Sequence, residues 1–139
     1  MASSGVRLSA WDYLRWGHIK PILRDGKVAA AKIIVYPGDA EEYFTFITGE
    51  AYEELENWMY YRKNAGEEIN EKSWVMRWKW DNKKGHSRGL ITAPRKLETI
   101  GIKRLINDAL WAQNVRLKSQ LNGRRYEFQV DHGLRKWFK

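Results

Sequence analysis

Two turn signals bracket one β-branched run early in the chain, and they leave few ways to fold it. Asp25-Gly26 favours the left-handed backbone of a two-residue hairpin turn. Pro37-Gly38-Asp39 is a second turn. Between them Val28 to Tyr36 ends in β-branched residues and reads as a strand. His18 to Leu23 lies before the first turn, and Tyr43 to Ile47 lies after the second. The spacing predicts a small antiparallel sheet of three strands joined by tight connections.

Helical spacing surrounds that block. Leu8, Trp11, Leu14 and Trp16 recur at helix-compatible intervals, with Ser3 and Ser4 placed to cap them. Thr48 is a predicted N-cap with Glu50 in the first turn, and the helix should run to about Arg62, with Gly66 just beyond. Its buried stripe should be Ala51, Tyr52, Leu55, Trp58 and Met59. Asn64 to Lys96 is the least regular stretch. A long helix is expected from about Glu98 to Arg116, with Ile102, Leu105, Ile106, Ala109 and Leu110 inward. Asn122-Gly123 marks a turn, and the closing "DHGLRKWFK" reads as a helix start. Strands in one block with helices around them make the class α+β, mainly helical. With 139 residues, no repeat and no Pro/Gly linker, one domain is expected.

Composition narrows the chemistry. The absence of cysteine removes disulfides, thiolate metal sites and thiol nucleophiles, and makes an intracellular protein the default. No apolar run approaches the ~20 residues of a membrane helix, and the N-terminus has no signal-peptide apolar region. His18, His86 and His132 lack the paired spacing of a metal site. No glycine-rich phosphate loop is present, so neither metal nor nucleotide cofactor is expected. The net charge of +8 favours a polyanionic partner, most simply nucleic acid. Most of the eight tryptophans should fill the core.

Cations near both ends stand out. Arg7 follows the small residues "SSG" just before the first helix, where small side chains leave room for something large and a guanidinium can grip a phosphate through two parallel bonds. His132 and Arg135 are three apart, on one face of a helix. One can donate a proton while the other neutralises an oxyanion. Taken together, "ASSGVRLSAWDYLRWGHI" resembles the first conserved box of the tyrosine recombinases, the phage-type integrases, and "HGLRKWF" resembles their second box, His-x-x-Arg. The wording is closest to integrases of archaeal type, and the likeness spans Ala2 to Phe138.

The resemblance implies a catalytic-domain core of the DNA breaking-rejoining type, acting in recombination and integration of mobile elements. It implies that Arg7 and Arg135 hold the scissile phosphate and that His132 aids proton transfer. A lysine on the hairpin of the second and third strands would protonate the leaving 5′ oxygen. Lys32 is the candidate, with Lys27 the alternative. The family also needs a tyrosine nucleophile beyond the second box and an amino-terminal DNA-clamping domain, and neither is present in this sequence. The expectation is therefore a partial catalytic domain that binds double-stranded DNA without cutting it. It should be cytoplasmic, nucleoid-associated and monomeric, whereas the family assembles as tetramers on DNA.

A rival reading is a non-catalytic basic module. In "MRWKWDNKKGHSRG", Trp78 and Trp80 alternate with Arg77 and Lys79, and Lys83, Lys84 and Arg88 follow in a loop. An alternating aromatic-basic strand can stack single-stranded bases. A fragment related to the type IB topoisomerases is a third reading, disfavoured because its hairpin and second box are usually arranged differently.

Overall fold

Chain order begins with α1 (Leu8–Trp11), a 3-10 turn (Trp16–His18), and strands β1 (Ile19–Arg24), β2 (Lys27–Val35) and β3 (Tyr43–Thr48). Two helices follow, α2 (Gly49–Asn64) and α3 (Thr99–Ala112). The structure is a computed structural model, and it describes residues 3–78 and 94–115. The strands form one antiparallel sheet in the order β1-β2-β3, as the turn signals predict. Asp25 and Gly26 have φ of 51° and 76°, both left-handed, which closes the β1–β2 hairpin on the pair Arg24 and Lys27. The second connection is a wider loop. Asp39 N donates to Tyr36 O, and the Asp39 carboxylate accepts from Glu41 N at 2.9 Å.

Alternation along β2 separates the two faces of the sheet. Ala31, Ile33 and Val35 are buried, and Ile47 on β3 joins them opposite Ala31. This inner face packs with Val6, Ala10, Leu14, Trp16, Ile19 and Val75. The predicted stripe of α2 covers the cluster: Ala51, Tyr52, Leu55, Trp58 and Met59 all pack against it. Burying side chains such as Ile33 stabilises by about 1.5–3 kcal/mol each. Thr48 is the N-cap of α2, and its hydroxyl accepts from Ala51 N at 3.3 Å. Gly49 is demanded by close approach, because a Cβ there would collide with the Val28 carbonyl oxygen. Gly66, at φ 95°, takes the chain out of the helix.

Three expectations need correction. The first helix has one turn, Leu8–Trp11, instead of reaching Trp16. The chain beyond it is drawn into pairing with a distant segment: Trp16 N donates to Ser73 O, and Val75 N donates to Leu14 O. His18 accordingly belongs to the 3-10 turn, and β1 starts at Ile19. The last described helix ends at Ala112, where Asn114 turns left-handed at φ 54° and Val115 N bonds back to Leu110 O. Of its predicted stripe Ile102 is buried and Ile106 and Leu110 are half-buried, while Leu105 and Ala109 are exposed.

Candidate nucleic-acid interface

Arg7 is positioned by its neighbours. Val6 and Leu8 on either side are buried, so alternation sends Arg7 outward. Gly5 at φ 62° makes the bend that precedes it, and Ser4 Oγ accepts from Val6 N at 3.4 Å. The bend is tied to the sheet by Thr45 Oγ1, which donates to Ser4 O at 2.9 Å. Arg7 thereby reaches an open groove of about 580 Å³ whose walls include Ser4, Gly5, Tyr36, Tyr43 and Phe44. It makes no ion pair among the described residues.

Lys32 stands on the outer face of β2, between Lys20 of β1 and Phe46 of β3. Its Nζ lies 4.4 Å from the centroid of the Phe44 ring, a cation–π contact. Phe44 is therefore shared: it is a residue of the groove that Arg7 enters, and its ring carries the Lys32 ammonium. Lys27 lies at the opposite end of β2, five residues or roughly 17 Å of strand away.

A second groove of about 630 Å³ adjoins the first and shares Tyr36 and Glu41 with it. Arg15 lines it with its guanidinium 4.0 Å from the Trp74 ring centroid, and Nη1 donates to Lys72 O at 3.1 Å. His18 lines it as well. Its Nδ1 accepts from Arg15 N at 3.2 Å, so that nitrogen is unprotonated. Burial, helped by the positive charges of Arg15 and Lys20, holds its pKa below the ordinary histidine value.

Arg77, read from sequence as a DNA contact, turns inward instead. It is buried, and its Nε donates to Glu67 Oε2 at 2.9 Å. The same carboxylate takes Arg62, which is fully buried: Nε donates to Oε2 at 2.8 Å and Nη2 pairs with Oε1. Arg62 Nη1 also donates to the carbonyls of Trp74 and Val75 at 2.7 and 2.9 Å. Both guanidiniums therefore share the one Glu67 carboxylate. Trp58 lies beside both guanidinium carbons, at 5.5 and 5.2 Å from its ring centroid. Burial pushes the Arg77 pKa down, and Glu67 pulls against that fall. The backbone at Arg77 bridges to Lys96, so its segment is held between neighbours and is not a free basic strand.

His132, Arg135, Lys79, Lys83, Lys84 and Arg88 lie outside the described residues. The site residues that the structure does place are Arg7, Lys32 and Arg77, and the first two have Phe44 as a common neighbour. Sequence reasoning missed Phe44, Phe46 and the Arg62–Glu67 pair. The period-two pattern of "YFTFIT" does separate Phe44 and Phe46 from Ile47, and that was the available signal. No helix among the described residues is long and apolar enough to cross a membrane, and none of their acidic and histidine side chains form a metal-type cluster. No family model matches the chain, and no curated protein matches it.

Proposed function

We propose that this chain is the catalytic core of a site-specific tyrosine recombinase, an integrase-type domain that grips the scissile phosphate of duplex DNA. The observation that supports this reading is that Phe44, which carries the Lys32 ammonium on its ring, belongs to the open groove that Arg7 reaches. Phosphoryl transfer of this kind asks the protein mainly for positioning and charge stabilisation. In the proposal Arg7 and Arg135 hold the non-bridging oxygens, His132 assists proton transfer and Lys32 protonates the leaving 5′ oxygen. The attacking group is a tyrosine from a segment that follows the second box in that family. These 139 residues alone bind the phosphate and leave the bond intact.

The test uses a nicked suicide duplex and a protein in which a tyrosine-bearing segment of that family follows Lys139. The expected result is a covalent protein–DNA adduct that Arg7→Ala and Arg135→Ala each abolish. Duplex binding without any adduct would leave only the basic-module reading. An adduct formed by the 139 residues themselves would overturn the assignment of the two boxes.

A further inference from the structure

The outer face of the sheet raises a separate question. Phe44 and Phe46 of β3 both point away from the core, and they are 57% and 46% exposed. Ile22 on β1 is exposed on the same face, and Lys20 and Lys32 stand among these apolar groups. Burying either phenylalanine would be worth a few kcal/mol, so an aromatic pair left in water on a flat sheet invites an occupant. The charge on this face is positive: Lys32 sits on Phe44, and Arg7 reaches the groove at its edge. Aromatic rings interleaved with lysines suit a chain that has π-faces and a phosphate backbone.

The ring geometry selects the form of that chain. The two centroids are 5.7 Å apart and the rings are inclined at 78°. Bases in a duplex stack parallel at about 3.4 Å per step. Two bases lying on these two rings would have to be splayed and steeply tilted to one another, which a paired duplex forbids and an unpaired strand permits. We propose that the outer sheet face is a binding platform for single-stranded DNA. Successive unpaired bases stack on Phe44 and Phe46 while Lys32 meets an adjoining phosphate, joined by Lys20 as it exchanges its exposed 3.4 Å pairing with Glu71 for a second one. This platform shares Lys32 and Phe44 with the phosphate grip proposed above and adds Phe46 and Lys20, which that grip does not use.

Fluorescence anisotropy with a labelled 12-residue oligothymidine tests the proposal on the full 139-residue chain. Phe44→Leu and Phe46→Leu keep an apolar side chain on an exposed position and remove the ring. Each is expected to weaken binding about tenfold, within the range for loss of one stacked base, while binding of Phe46→Leu, which lies outside the groove that Arg7 reaches, to a blunt duplex of the same length stays near wild type. Arg7→Ala should do the reverse. A second measurement needs no variant: ultraviolet cross-linking to an oligothymidine carrying 5-iodouracil should attach to the tryptic peptide holding Phe44 and Phe46. Unchanged oligothymidine affinity in both leucine variants, or cross-links confined to other peptides, would overturn the platform and leave the duplex reading standing. Sedimentation equilibrium showing a dimer that Phe44→Leu dissolves would overturn it too, by giving the face to a second copy of the chain. If Arg7→Ala has no effect on duplex binding while the leucine variants lose oligothymidine, the platform holds and the phosphate grip fails.

Discussion

Glu67 decides how the interior tolerates two arginines. Its carboxylate is fully buried between Arg62 and Arg77 and bonds to both. Replacing such a pair by apolar groups is often neutral, but removing one partner strands a charge, and here Glu67 is a partner of two arginines. Glu67→Ala should therefore lower the unfolding free energy by about 3–5 kcal/mol, read as a fall in urea midpoint. Arg77→Ala should do less damage, because Glu67 keeps its bonds to Arg62. His18 gives a pH-dependent expectation. Its folded pKa lies below the unfolded value, so the unfolded state binds the proton first. Its contribution to stability is thus complete above about pH 6.5 and is lost as pH falls below that value. Protonation also removes the Nδ1 acceptor from Arg15 N. Urea midpoints at pH 7.5 and 5.5 should fall more steeply in the wild type than in His18→Asn. Residues of this kind were poorly legible in the sequence. Arg77 sits in a basic, tryptophan-rich run that reads as surface, and a carboxylate ten positions away draws it inward.

Among the elements, α3 depends on a residue from α1's end. Its own N-cap, Glu98, makes no side-chain cap, and Asp12 supplies the acceptor instead: Thr99 N and Thr99 Oγ1 donate to Asp12 Oδ2 at 3.2 and 2.7 Å. Lys96 adds an ion pair to the other oxygen at 3.7 Å. A capping carboxylate is worth roughly 1 kcal/mol, so Asp12→Ala should lower global stability by about that amount. Its sharper signature should be faster amide hydrogen exchange in the first turn of α3, with α2 unaffected. Local signals of the usual kind announced α2. Thr48, the apolar spacing from Ala51 to Met59 and Gly66 lie within one segment and need no knowledge of the rest. The sheet was legible for the same reason, because Asp25-Gly26 and Pro37-Gly38 act on their own strands. The short α1 was not, because the pairing of residues 14–16 with 73–75 joins segments nearly sixty positions apart. Nor does alternation in β3 say which face is inside. That choice is made by Ile47 meeting Ala31 over the core, which sends both phenylalanines out.

At the scale of the molecule, the question is how the net charge of +8 is spent between folding and binding. Arg62 and Arg77 are consumed inside, and Lys20 is shared with Glu71 at 3.4 Å. Arg7 at the groove and Lys32 on the outer face of the sheet make no ion pair among the described residues and are available to phosphates. Each phosphate neutralised in duplex DNA releases condensed counterions, so log affinity falls against log salt with a slope of about −0.9 per contact. A chain of this charge that grips roughly four phosphates should show a slope near −3.6. Arg7→Ala should weaken duplex binding and make the slope shallower by about 0.9, because one contact is gone. Arg77→Ala removes the same formal charge from the sequence but not from the surface. Its slope should match the wild type even where its stability is lower, once both are measured well below their melting temperatures. Anisotropy titrations at several salt concentrations on the three proteins separate these outcomes. Equal shallowing in both variants would mean that duplex binding senses only total charge, and it would remove Arg7 from any specific role. A flat wild-type response would remove duplex DNA as the partner altogether.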